Sequence, residues 1–334
     1  MYSNSNKMFF YFILFFSTLI SISSNSWFGC WIGLEINLLS FIPLISNLNN
    51  LFSSETSLKY FLIQSIASIN FLFIILIKMT LLKNFEMNNF MSIMINFPLL
   101  MKMGAAPFHF WFPNLVEGLN WLNNFILMTW QKITPMILLS YNININFITI
   151  ITIMNVMIGA IGGLNQTSLR KLMAFSSINN LGWMLISIMI SENLWIFYLM
   201  FYSILISIMC FMFHIFNMFY LNQLFILKMN IFNKITIMIN LLSLGGLPPF
   251  LGFLPKWITL NFLISNNFLM LTFIFVMMSL ITLFFYIRIS YSTLMFYYIK
   301  LKWMKIYFKN NIIYLNVISM ISIMGLILST FWFI

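Results

Sequence analysis

Leu194-Trp-Ile-Phe-Tyr-Leu-Met-Phe-Tyr-Ser-Ile-Leu-Ile-Ser-Ile-Met-Cys-Phe-Met-Phe-His-Ile-Phe-Asn-Met-Phe-Tyr-Leu221 runs for 28 residues without an aspartate, glutamate, lysine or arginine. A helix needs about 20 apolar residues to cross the hydrocarbon core of a bilayer. A strand of a membrane barrel would instead alternate polar and apolar positions, and no alternation is present. Backbone groups in lipid must pair within their own segment or within a closed barrel. The stretch therefore reads as a membrane-spanning helix.

The rest of the chain repeats this pattern. Of 334 residues, 62% are apolar and 6% charged, where a soluble domain carries about 25% charged residues. Eleven apolar segments fall at about 8–24, 27–45, 56–82, 90–112, 121–141, 145–163, 169–190, 194–221, 235–265, 268–298 and 312–333. The first is followed by no small-residue cleavage site before Trp27, so it reads as a spanning helix and not as a leader. The loops are too short for an extramembrane domain. The expected fold is all-α and integral to the membrane, with residues 1–334 forming one polytopic domain.

Counting loops alternately gives a test of sidedness. Lys7, Arg170, Lys171, Lys228, Lys234, Lys300, Lys302, Lys305 and Lys309 fall on the side of the N-terminus, and Lys83 on the other, with Lys78 snorkelling toward it. Positive residues stay on the cytoplasm-equivalent side. The N-terminus is expected there and the C-terminus opposite. A charge of +11 without a dense aromatic-laced basic patch gives no reason to expect nucleic acid.

Two segments are interrupted. The fourth contains Pro98, Gly104, Pro107 and Pro113. The ninth contains Gly245, Gly246, Pro248, Pro249, Gly252 and Pro255. They lie five segments apart, so five-helix repeats over 8–141 and 145–298, plus a final helix, would be inverted in the membrane. Broken helices at matching places of inverted repeats point to a transport site. The competing reading is that these prolines merely kink packed helices.

All five acids are glutamates. Glu55, Glu86, Glu117 and Glu192 lie in or beside loops. Glu35 stands 8 residues after Trp27 and 10 before Ile45, near mid-membrane. Lys102, Lys132 and Lys256 share that depth. Each charge at a helix centre costs about 2.5–3.5 kcal/mol on insertion scales, and such residues are functional-site candidates by default. An amine kept from water binds its proton less tightly, and a neighbouring carboxylate restores the grip. A movable charge on such a carboxylate would switch a lysine between loading and unloading. The alternative is a set of fixed ion pairs fastening helices, for which three lysines and one glutamate are badly matched. His109 and His214 are secondary candidates, because histidine titrates near neutral pH, although a lone histidine also serves as a helix-to-helix hydrogen-bond partner. Lys59, four residues after Glu55, reads as half of a local helix pair. Cys30 and Cys210 exclude a disulfide framework and a four-cysteine cluster, and no metal site is expected.

Five motifs then resemble the antiporter-like membrane subunits of respiratory complex I. They are Gly33-Leu-Glu-Ile-Asn-Leu-Leu-Ser-Phe41, Gly104-Ala-Ala-Pro-Phe-His-Phe-Trp-Phe-Pro113, Thr129-Trp-Gln-Lys-Ile-Thr-Pro135, Gly159-Ala-Ile-Gly-Gly-Leu-Asn-Gln-Thr-Ser-Leu-Arg-Lys-Leu-Met-Ala-Phe-Ser-Ser177 and Ser243-Leu-Gly-Gly-Leu-Pro-Pro-Phe-Leu-Gly-Phe-Leu-Pro-Lys-Trp257. The resemblance covers essentially the whole chain, in the shorter form found in animal mitochondria. It implies a proton-pumping subunit in the membrane arm, in the mitochondrial inner membrane, with the N-terminus on the matrix side and the C-terminus on the intermembrane-space side. The family's central acid falls on Glu35 and its lysines on Lys102, Lys132 and Lys256. Sister antiporter-like subunits and lipid are the implied partners. NADH, FMN, iron–sulfur clusters and ubiquinone belong to other subunits, so this chain is expected to bind no cofactor. Two other functions stay open: a stand-alone cation/proton antiporter, and a structural membrane subunit whose lysines only anchor helices.

Overall fold

A computed structural model of the chain describes residues 2–47, 50–81, 88–226 and 231–295, together with Ser319 and Ser322. The described elements are α1 (Tyr2–Ser23), α2 (Trp27–Ile45), α3 (Leu51–Leu81), α4 (Asn88–Met103), α5 (Trp111–Gly118), α6 (Trp121–Met128), α7 (Trp130–Ser140), α8 (Ile145–Gly163), α9 (Leu169–Ile190), α10 (Glu192–Ile215), α11 (Leu221–Ile226), α12 (Ile231–Gly245), α13 (Phe253–Ser265) and α14 (Leu269–Met295). Seven of these helices are long and apolar enough to cross a membrane. The second, sixth and seventh expected segments match α2, α8 and α9 residue for residue. Apart from Ser319 and Ser322 the eleventh lies outside the described residues, as do Lys83, Glu86, Lys228, Lys300, Lys302, Lys305 and Lys309.

The chain divides into two compact units, 1–151 and 152–334. In the first, α1 packs along α2, α2 along α3, and α3 along α4 and α5, while α7 meets α1 and α4. A close crossing is at Gly33, where an added Cβ would stand 2.8 Å from the backbone N and Cα of Ser21. Small residues let membrane helices approach this closely. The expected fifth segment is bent into α6 and α7 at Thr129, whose hydroxyl bonds back to the Phe125 carbonyl at 2.7 Å. Such back-bonding bends helices, and Pro135 removes a further amide donor downstream.

In the second unit α9 is the central helix. Its residues from Leu172 to Ile188 are buried almost all round, which is the pattern of a helix enclosed by others. α10 and α13 pack on it, and α14 packs on α12 and α13. α14 buries only a stripe, Thr272, Phe275, Thr282, Phe285, Tyr286, Ile289, Ser290 and Thr293, and turns Met270, Phe273, Leu280 and Phe284 outward. An exterior of phenylalanine and leucine suits lipid, not water.

Both interrupted segments break at a glycine. Gly104 has φ +70° and Gly246 φ +86°. After α4 the Gly104 amide donates to the Met101 carbonyl and Ala105 to Leu100. After α12 the Gly246 amide donates to Ser243 and Leu247 to Leu242. This is the same left-handed cap twice over. Three expectations need correcting. The fourth segment does not end at 112, because α5 continues it to Gly118. The eighth does not run to 221: α10 stops at Ile215, where Asn217 adopts φ +51° and closes a cap of the same kind. Lys234, expected in a loop, lies in the first turns of α12 and is buried.

Candidate functional site

Lys102 is in the last turn of α4 and Lys132 in the first turn of α7, just past the bend. Both are buried, at 8% and 1% exposure. They line one cavity of about 20 Å³, together with Asn37, Tyr60, Gln64, Trp111, Phe112, Gln131 and Thr134. The Lys132 ammonium stands over the Phe112 ring, 5.3 Å from its centre, where the ring's negative face favours a cation. Lys102 makes no ion pair among the described residues, but Glu35 is near enough for its charge to act on the Lys102 ammonium. The Glu35 Oε2 atom is buried and has no hydrogen-bond partner among the described residues. Lys102 and Lys132 are thus brought together on one cavity of the first unit, while Glu35 is near Lys102 and outside the cavity's lining.

Neutral amides frame them. The Gln131 side chain donates to Asn37 Oδ1 at 2.9 Å, tying α7 to α2. Gln64 Nε2 donates to the Lys102 carbonyl at 3.2 Å, satisfying an oxygen at the broken end of α4. Asn123 Nδ2 donates to the Leu44 carbonyl at 2.8 Å, near the end of α2. No charge marks these residues, which is why sequence reasoning passed over them. Gln131 beside Lys132 was the available signal.

Lys256 lies in the first turn of α13, just past the second break, and is 6% exposed. Its ammonium donates to the Gly245 carbonyl at 3.0 Å, the last residue of α12. A helix leaves its final carbonyls without intrahelical partners, and its C-terminus favours a cation. The break supplies the acceptor and the lysine fills it. The Trp183 ring centre is 5.9 Å from the same nitrogen. A small cavity beside it is lined by Asn180, Tyr198 and Tyr202, and the Tyr198 hydroxyl donates to Asn180 Oδ1 at 3.0 Å.

The histidines differ from each other. His109 sits within the break between α4 and α5. It is buried, with Nδ1 3.3 Å from the Pro107 carbonyl. His214 is in the last turn of α10 and exposed. Lys59 and Glu55 pair at 2.5 Å on the exposed side of α3. Sequence reasoning also overlooked Arg288, the arginine inside the tenth segment, whose guanidinium donates to the Leu164 carbonyl after α8.

The family described as the NADH:quinone oxidoreductase/Mrp antiporter transmembrane region matches residues 24–282. NADH-ubiquinone oxidoreductase chain 2 of Anopheles gambiae is 53% identical over 95% of this chain and 94% of its own length. The Aedes aegypti protein of the same name is 54% identical over 98% and 97%. Among solved structures, respiratory complex I from Thermus thermophilus with bound aureothin contains a chain that superposes with a TM-score of 0.81 at 18% identity, over 97% of this chain and 76% of that one. That likeness is one of fold, while the family match and the insect sequences fix the kinship: the chain belongs to the NADH:quinone oxidoreductase/Mrp antiporter family of membrane proteins, alongside the insect chain 2 proteins.

Proposed function

We infer that the chain is a proton-translocating subunit in the membrane arm of a mitochondrial NADH:ubiquinone oxidoreductase. The observation that carries this is the pair Lys102 and Lys132 on one buried cavity, with Glu35 acting on the first. Fixed ion-pair glue would place a carboxylate directly on each buried lysine, and Lys102 has none among the described residues. Glu35 receives the signal from a neighbouring subunit, Lys102 is the switched site, Lys132 passes the proton on, and Lys256 is the exchange site. His109 is a secondary carrier. Redox chemistry, with its NADH, FMN, iron–sulfur clusters and ubiquinone, takes place in partner subunits. Sister antiporter-like subunits flank the chain. The breaks at Gly104 and Gly246 support inverted repeats over 8–141 and 145–298, followed by an eleventh helix. The N-terminus faces the matrix and the C-terminus the intermembrane space.

Lys102→Met in the assembled complex tests the relay. Protons moved per NADH oxidised are expected to fall while the complex still assembles. Unchanged pumping would reject Lys102 as the switched site. Loss of assembly, with normal pumping in whatever assembles, would support an anchoring role instead. The stand-alone antiporter reading predicts ion flux by the purified chain in liposomes, and it predicts the chain migrating apart from NADH-oxidising bands on a native gel.

A further inference from the structure

The outward face of α14 ends in a charge. Phe273, Met277, Leu280 and Phe284 are exposed, and so are Arg288 and Tyr291 beyond them. The six follow one another every three or four residues, which puts them on one side of the helix. From Phe273 to Phe284 this side is about 16 Å long, close to half of a hydrocarbon core about 30 Å thick. The apolar part therefore spans one leaflet, and Arg288 and Tyr291 come at the level of its headgroups. Tyrosine is enriched at that level.

The arginine is held in place. Its guanidinium donates to the carbonyl of Leu164, just past the end of α8. The helices meet closely there, since a Cβ on Gly163 would stand 3.0 Å from Phe285 Cε1. A guanidinium carries several N–H donors in a flat fork, and one carbonyl does not occupy them. Arg288 makes no ion pair among the described residues. Its own unit has no carboxylate to offer on this side. After residue 151 the chain has a single acid, Glu192. That residue opens α10, a whole length of α9 away from the loop that holds Leu164, or about 33 Å.

We propose that the outward face of α14 is a binding site for an anionic phospholipid, with the phosphate on the Arg288 guanidinium and the acyl chains along Phe284, Leu280, Met277 and Phe273. The fork matches two phosphate oxygens at once. The Leu164 carbonyl fixes the direction in which the fork points. The Tyr291 hydroxyl, one turn further on, donates to the same headgroup. A helix of a neighbouring protein would bury this cation against apolar side chains unless it brought a carboxylate to this one level. A lipid brings the tails and the charge in one molecule. The site requires only that the chain lie in a bilayer, and with the N-terminus facing the matrix the lipid belongs to the matrix leaflet.

The test uses the assembled complex and its Arg288→Gln and Arg288→Lys forms. Native lipid is exchanged in detergent, and the complexes are placed in nanodiscs of phosphatidylcholine, with or without phosphatidylglycerol. In a map of the parent in the mixed discs, a phosphate is expected within hydrogen-bond distance of Arg288, with tail density along Leu280 and Phe284. A bare face there, or a partner's carboxylate on Arg288, overturns the proposal. Equal headgroup density in discs of phosphatidylcholine alone overturns the demand for an anionic lipid. A ligand that binds the folded form raises its melting temperature. Phosphatidylglycerol is therefore expected to raise that of the parent most, that of Arg288→Lys less, and that of Arg288→Gln least. The same rise in all three overturns the site, and the map of the parent decides if either variant fails to assemble.

Discussion

At the scale of single residues, the charged groups and the neutral polar groups do different work. A charge in lipid is expensive enough to be visible in sequence: Glu35, Lys102, Lys132 and Lys256 stand out by depth alone. Amides are cheap by comparison. A hydrogen bond between membrane helices averages about 0.6 kcal/mol, with a maximum near 1.7, so the Asn37–Gln131 bond contributes little to stability. Its value is positional, since Gln131 adjoins Lys132 and Asn37 follows Glu35 by two residues on α2. Replacing both by leucine is expected to shift the melting temperature of the assembled complex only slightly while lowering protons pumped per NADH. A large fall in melting temperature with unchanged pumping would mark the pair as structural. Depth in an apolar run revealed the four charges. It could not reveal Gln64 or Gln131, because a neutral polar residue at mid-membrane is affordable in many positions without purpose.

At the scale of helices, what decides the site is where each helix stops. Proline and glycine located both breaks in the sequence, but not the cap that closes them, because a cap depends on one residue's φ. Among the described residues, four helix ends use a left-handed residue: Gly104, Asn217, Gly246 and Asn267. Asparagine serves at two of them. At the breaks glycine has a second reason. A Cβ on Gly104 would stand 2.9 Å from Phe112 Cβ, and one on Gly246 would stand 3.1 Å from both Cδ and Nζ of Lys256. Left-handed backbone costs an L-residue about 1–2 kcal/mol. Gly246→Ala should therefore add that strain and also press Lys256 away from the Gly245 carbonyl. Asn217→Ala should lose only the cap. Both variants are expected to melt earlier as complexes, and only Gly246→Ala to pump less per NADH in what assembles. Equal pumping in the two would show that the seat of Lys256 at the break is not needed. The bend at Thr129 was less legible than the breaks. Threonine back-bonding leaves no signature in composition, and Lys132 was found by its charge, not by the bend that presents it.

At the scale of the whole chain, orientation and the number of crossings are one problem. The basic loops place the N-terminus on the matrix side only if each segment, broken or straight, crosses once. Asn25, between α1 and α2, and Asn165, between α8 and α9, are both exposed. Five expected segments separate them, and an odd number of crossings puts them on opposite sides. If either bent segment among the five turned back at its break, the number would be even and both loops would share a side. The native thiols do not confuse the measurement, because Cys30 and Cys210 are 4% and 1% exposed and buried thiols are inert. Asn25→Cys is expected to react with a membrane-impermeant maleimide in mitochondria stripped of their outer membrane, and Asn165→Cys only in inverted inner-membrane vesicles. Both are expected to react once detergent has opened the membrane. Labelling of both from one side would mean that a broken segment fails to cross, which would remove the inverted repeat. Labelling with the sides exchanged would keep the repeat and reverse the chain. Lys171 and its neighbours would then face the intermembrane space, against the tendency that keeps basic loops inside.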